Sequence, residues 1–287
     1  MSALWQPFAE FGFMQRALLG CLLLSLSAPS VGVFLMLRRM SLTGDAMAHA
    51  ILPGAALGYL VSGLSLGAMT LGGIAAGLAV VFASGLVARS TVLREDTSLA
   101  AFYLLSLAVG VLIISSQGRN VDLLHVLFGS VLALDDPTLA LLAGIAVFTL
   151  LVLVLLHRAL VLECVDPGYL RSVSRMSPVA HYGFLLLLVL NLVGGFHALG
   201  TLLAVGMMIL PAAAARLWVR RLLPMMLLAS VLCATGCVAG LVLSYAFELS
   251  TGPAIVLCLG LLYLGSVLVA PRGALMPSRR PAKHLSA

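Results

Sequence analysis

The chain has 287 residues, of which 62% are hydrophobic and 9% charged, and a mean hydropathy of +1.17. A water-soluble domain of that composition could not solvate its own surface, so the sequence describes a protein that crosses a lipid bilayer many times. The net charge of +6 does not mark a nucleic-acid binder, because it is carried almost wholly by arginines in short stretches between apolar runs, the pattern of membrane loops.

At about 20 apolar residues per crossing, the runs near 17–37, 43–63, 66–87, 97–115, 138–156, 179–196, 198–215, 222–245 and 253–270 predict an all-α bundle of about nine spans. Residues 1–16 are expected to form an external N-terminal segment, 17–270 the transmembrane domain and 271–287 a cytoplasmic tail. The first run extends to Arg38-Arg39 without a small-residue cleavage pattern, so it is expected to stay as a span rather than be removed as a signal. The stretch 121–134 is too short to cross, and reads as re-entrant or interfacial. The longest loop, 157–178, contains Asp166-Pro167, an N-cap followed by a first-turn proline, and predicts a short helix along the membrane face. Such a helix suits docking, and equally suits a plain linker.

With 121–134 left out of the alternation, all of the sixteen basic residues except Arg16 and Arg119 fall on one side. The positive-inside rule makes that side the cytoplasm, with the N-terminus outside and the C-terminus inside. The opposite side carries Glu10, Asp122, Asp135, Asp136 and Glu248, either a mildly negative mouth for cations or ordinary solvated acids.

The 28 glycines include Gly54-x-x-x-Gly58 and Gly236-x-x-x-Gly240, spacings that let membrane helices approach closely. Ile51-Leu52-Pro53-Gly54-Ala55-Ala56 is echoed by Ile209-Leu210-Pro211-Ala212-Ala213-Ala214, a weak internal match compatible with two equivalent broken helices or with chance. Cys21, Cys164, Cys233, Cys237 and Cys258 are odd in number and mostly lie in apolar runs, so they read as buried hydrophobes, although Cys233 and Cys237 are spaced to share a soft metal.

The chemistry concentrates in the second run, which opens Gly44-Asp45-Ala46-Met47-Ala48-His49 and carries no further charge until about residue 88. Side chains four apart stack on one helical face, so the Asp45 carboxylate and the His49 imidazole can grip one cation. Ionisable groups inside a bilayer cost roughly 2.5–3.5 kcal/mol each, which makes both functional-site candidates. The same pair also fits a wetted carboxylate beside a histidine hydrogen-bonded between helices. Carboxylate with imidazole discriminates poorly among divalent transition metals. No Gly-x-x-x-x-Gly-Lys-[Ser/Thr] phosphate loop occurs, and the single lysine is Lys283, so nucleotide hydrolysis by that motif is excluded and any pumping draws on a partner or an ion gradient. The zinc-protease pattern His-Glu-x-x-His is absent as well and the six histidines are scattered, so the chain does not read as an enzyme. His197, near the outer ends of two spans, is a candidate at the mouth, with a hydrogen-bonded interfacial histidine as the plainer alternative; His125 and His181 carry no assigned role.

An ordered set of fragments resembles the permease family of ABC importers for zinc, manganese and iron. It comprises Arg38-Arg39-Met40-Ser41, Gly44-Asp45-x-x-x-His49-Ala50, Pro53-Gly54, Val121-Asp122-Leu123, Leu127-Phe128-Gly129-Ser130, Gly200-Thr201-Leu202-Leu203, Pro211-Ala212-Ala213-x-Ala215 and Gly252-Pro253. The resemblance implies a homodimeric permease in the bacterial inner membrane, a cytoplasmic ABC ATPase dimer that uses ATP, and an extracytoplasmic metal-binding protein. The chain itself would bind no cofactor; its cargo would be a divalent metal, zinc or manganese and possibly iron. The same resemblance implies that Asp45 and His49 contact metal, and that Asp166, Pro167, Tyr169 and Arg171 belong to the loop that meets the ATPase, where the chain departs from the family pattern at Leu170 and Ser174. Asp122, His197 and Glu248 are secondary candidates for the pathway or its mouth. A proton-coupled secondary transporter, with Asp45 carrying the proton, is the alternative.

Overall fold

The computed structural model describes residues 11–63, 65–92, 95–116, 131, 134–165, 169 and 176–271. Among them the chain is helical, without strands: α1 (Gly12–Leu37), α2 (Ser41–Ala50), α3 (Leu52–Ser62), α4 (Leu66–Ser90), α5 (Glu95–Ser116), α6 (Asp136–Leu155), α7 (His157–Val165), α8 (Met176–Leu199), α9 (Thr201–Trp218), α10 (Leu222–Phe247) and α11 (Thr251–Val269). Seven of these, α1, α4, α6, α8, α9, α10 and α11, are long and apolar enough to cross a membrane.

The other two expected spans take different forms. The run 43–63 is interrupted at Ile51 and becomes α2 and α3, because Pro53, at the start of α3, has no N–H to continue the ladder. The run 97–115 forms α5, whose apolar part, Thr97–Ile113, is shorter than the other seven spans. The first helix begins at Gly12 rather than residue 17, its polar Gln15 and Arg16 lying on an exposed first turn. Of the expected re-entrant stretch 121–134, only Val131 and Leu134 are among the described residues, both buried.

The helices gather into two groups. In one, α2, α3, α4 and α5 pack on each other; in the other, α1, α9, α10 and α11 do. Helix α8 touches α1, α2, α4, α6, α7 and α9 and so joins the groups. One buried cluster, including Phe34, Met47, Ile51, Phe184 and Leu188, lies where α1, α2 and α8 meet. A second, including Leu24, Leu142, Met207, Cys233 and Ile255, fills the other group.

Small residues set the closest approaches, since lipid tails give helices no hydrophobic reason to associate. A Cβ on Gly54 would sit 2.0 Å from the Gly72 carbonyl oxygen, and one on Gly58 would sit 2.4 Å from that of Ala68, so α3 and α4 meet backbone to backbone. A Cβ on Gly240 would lie 2.5 Å from the Ile255 Cα, which gives α10 and α11 the same kind of contact. The proline echo is not structurally equivalent: Pro211 lies within the continuous helix α9, whereas Pro53 marks a break.

Polar contacts tie the ends. Arg16 meets Asp136 at 3.2 Å, joining the first turns of α1 and α6, in keeping with their placement on one side by charge. At the other end of α1, Arg216 Nη1 donates to the Met36 carbonyl at 3.3 Å. In the interior, Asn191 Nδ2 donates to Thr149 Oγ1 at 2.8 Å and to the Leu187 carbonyl at 2.9 Å, linking α8 to α6.

Candidate functional site

The turn before α2 fixes where the site begins. Arg39 adopts φ 60° at the end of α1, with Met40 N donating to Leu35 O at 3.0 Å and Arg39 N to Met36 O at 3.1 Å. These two bonds are those of a Schellman motif, with arginine in the left-handed position that glycine usually fills. The chain reverses there and enters α2 at Ser41. Gly44 then lets α2 settle against α1 and α9: a Cβ there would lie 2.8 Å from Met208 Cε and 3.0 Å from Leu35 Cδ2.

Asp45 and His49 project from one face of α2, with Nε2 of His49 4.0 Å from Oδ1 of Asp45. At that separation the two groups are neighbours without a direct hydrogen bond, spaced so that one ion between them can touch both. Their neighbours Ala46, Met47, Ala48 and Ala50 are buried, while the Asp45 side chain is 65% exposed and that of His49 32%. The buried side of α2 faces its own bundle, and the side with Asp45 and His49 is the more exposed one. No group of three or more His, Cys, Asp or Glu able to hold a metal occurs among the described residues, the cysteines included.

The helix is interrupted at Ile51, two residues after His49, and the interruption is held from α5. Ser106 Oγ donates to the Ala50 carbonyl at 2.9 Å, and Gly110 on the same helix brings its backbone against Pro53, where a Cβ would lie 3.1 Å from the Pro53 nitrogen. Ser106 and Gly110 are one turn apart, so α5 both supplies the hydroxyl and makes room for the ring. Neither stands out in the apolar run 97–115, because serine and glycine are ordinary in membrane helices and nothing local signals a partner 56 residues away.

The secondary candidates are dispersed. His197, near the end of α8, places Nδ1 2.9 Å from the Val193 carbonyl, an interaction within its own helix, and its Nε2 is buried without a hydrogen-bond partner among the described residues. Glu248 is an exposed C-cap of α10 with φ 51°, in a turn closed by Leu249 N to Ser244 O at 3.1 Å. Tyr169 is exposed, whereas Asp122, Asp166, Pro167 and Arg171 lie outside the described residues. Asp135, grouped with the outer acids, caps α6 by accepting from the Thr138 N–H at 3.1 Å and from the Thr138 hydroxyl. The hydroxyl bond in particular holds its carboxyl below the ordinary 3.8.

The profile of the ABC 3 transport family matches residues 10–270. The chain belongs to that family. Among its ABC 3 relatives, the manganese import system permease protein ScaB of Streptococcus gordonii is 35% identical over 268 residues, covering 93% of this chain and 95% of that one. The manganese transport system membrane protein MntC of Listeria monocytogenes is 33% identical over 272 residues, covering 94% and 95%. The chelated iron transport system membrane protein YfeD of Yersinia pestis is 31% identical over 267 residues, covering 93% and 88%. Among solved structures, PsaBC from Streptococcus pneumoniae in complex with Fab superposes with a TM-score of 0.83 at 32% identity, over 94% of this chain and 96% of that one. An inward-facing putative metal-chelate type ABC transporter shares the fold, with a TM-score of 0.71 at 15% identity, over 88% and 85%. This ABC 3 chain is therefore a multi-pass permease subunit of an ABC transporter.

Proposed function

We propose that this permease conducts a divalent transition metal, manganese in the first place and zinc or iron as further cargo, into the cytoplasm of a bacterium. The observation that carries this is the Asp45–His49 pair, two metal-type side chains 4.0 Å apart on the more open face of a helix whose neighbouring residues Ala46, Met47, Ala48 and Ala50 are buried. A carboxylate suits manganese and an imidazole suits the later metals. The relatives' manganese and iron names agree with that choice.

Two ligands are too few to hold an ion firmly. An exposed carboxylate facing acyl chains would also cost roughly 2.5–3.5 kcal/mol. Both difficulties are met if a second copy covers this face across a two-fold axis, so that each chain supplies Asp45 and His49 and the pair of chains supplies four ligands. Such a site binds in transit and releases, because a closed structural cage would trap its ion. In this reading the chain crosses the bilayer nine times, counting α2–α3 as one crossing and α5 as another, with its N-terminus outside. A cytoplasmic ATPase dimer docks at 157–178, and an external binding protein delivers the metal and sets much of the selectivity.

Reconstitution into liposomes with the ATPase and the binding protein tests this. ATP-dependent uptake of manganese is expected, with zinc and iron measured beside it. Asp45→Ala and His49→Ala are expected to abolish uptake while the complex still assembles. Wild-type uptake by either variant refutes the proposal, and uptake driven by a proton gradient without ATP assigns the chain to secondary transport instead.

A further inference from the structure

We propose that Arg38 and Glu163 form a buried ionic latch that couples the ATPase-facing loop to the metal-bearing helix α2. Positive-inside counting treats Arg38 as one more solvated loop arginine. Its side chain is instead only 5% exposed, and so is that of Glu163, at 4%. Arg38 Nη2 lies 4.0 Å from Glu163 Oε1, and the guanidinium carbon sits 4.7 Å from the centroid of the Phe184 ring.

The connections on each side are short. Arg38 is the C-cap of α1, and the bonds from Arg39, Met40 and Thr43 to Met36, Leu35 and Met40 lock it to the start of α2, one turn before Asp45. Glu163 sits on α7, three residues before Asp166, and its second oxygen, Oε2, accepts from Ser177 Oγ on α8 at 2.8 Å. Glu163 and Ser177 thus grip the loop stretch from both flanks, and Arg38 is the group that connects this grip to the site.

A buried ion pair is a poor choice for stability alone, since well-packed apolar residues of similar volume serve as well or better. This one is also incompletely closed. Arg38 Nε, Nη1 and Nη2 have no hydrogen-bond partner among the described residues, and 4.0 Å is beyond hydrogen-bond range. An approach of roughly 1 Å would convert a loose Coulombic pair into charge-assisted hydrogen bonds, so a small movement of α7 changes how tightly the beginning of α2 is held. That is the behaviour a transmission element between two distant sites requires.

The latch rests on the reading of the chain as an ATP-driven metal permease, so the wild-type complex serves as the control for that reading. If it shows no ATP-dependent manganese uptake, the proposed function fails and not the latch. With uptake established, the quantity to measure is manganese moved per ATP hydrolysed, beside basal ATPase activity, in the complete complex. Ser177→Ala removes one hydrogen bond to Glu163 and leaves both charges; Arg38→Met with Glu163→Met replaces the pair by apolar bulk. Basal hydrolysis is expected to persist in both. The ratio is expected to fall severalfold in Ser177→Ala and at least tenfold in the double variant. A wild-type ratio in either overturns the latch; if the double variant does not assemble, Ser177→Ala decides alone.

Discussion

Ser106→Ala isolates the support beneath α2, the helix proposed to meet the metal. The substitution deletes one oxygen from α5 and leaves Asp45 and His49 untouched, yet it strips the Ala50 carbonyl of the donor at 2.9 Å next to the break. Leaving a buried carbonyl unpaired costs about 1–3 kcal/mol, and interhelical bonds inside membranes average about 0.6 with a ceiling near 1.7. A value of about 1–1.5 kcal/mol satisfies both scales. If the broken geometry is the one that presents His49, the equilibrium favouring it falls by roughly 5- to 12-fold and the uptake rate by up to as much, since each 1.4 kcal/mol is a factor of ten. The assay is initial manganese uptake in liposomes carrying the complete complex, beside the melting temperature of the complex in detergent. Melting is expected to drop by only a few degrees, because so small a change is spread over a large unfolding entropy. Ser106→Thr keeps a hydroxyl and is expected to retain most activity. Uptake by Ser106→Ala within twofold of wild type would refute the idea that α5 positions the site.

Three further changes probe the frame around it. Gly54→Ala puts a methyl 2.0 Å from the Gly72 carbonyl oxygen, so α3 and α4 must part; a destabilisation of about 1–3 kcal/mol is expected in thermal or denaturant melts. Gly200 has φ 84° and ψ 164° at the turn from α8 to α9, a conformation essentially reserved for glycine, and Gly200→Ala is expected to cost about 1–3 kcal/mol by the same measurement. Asp135→Ala removes the N-cap of α6 and is expected to cost about 1 kcal/mol at neutral pH. Because the folded carboxyl titrates below its ordinary 3.8, that contribution is complete above 3.8 and fades as pH falls through the lowered value. The melting difference between wild type and Asp135→Ala should therefore close in strong acid; a difference that persists there contradicts the cap.

What was legible in the sequence depended on how local the signal was. Long apolar runs and the spacing of Asp45 and His49 needed only the period of one helix, and the boundaries of α4, α10 and α11 lie within a few residues of those expected. The interruption at Ile51 was half legible: Pro53 announced a disturbance, but its twin Pro211 sits in an unbroken helix, so the proline alone did not decide. The difference lies in neighbours, since Pro53 meets Gly110 and the adjoining Ala50 carbonyl meets Ser106, both from a distant helix. The burial of Arg38 was not legible for a related reason. A charge at the end of a span looks solvated until Glu163 and Phe184 close over it.

The meeting of Gly54 with Gly72 constrains how the molecule can move. With main chains in contact and only the Ala76 methyl beside them, sliding α3 along α4 would drive carbonyl oxygens into alpha carbons. The two helices must travel as a stiff paddle, so that any rearrangement admitting an ion swings both at once.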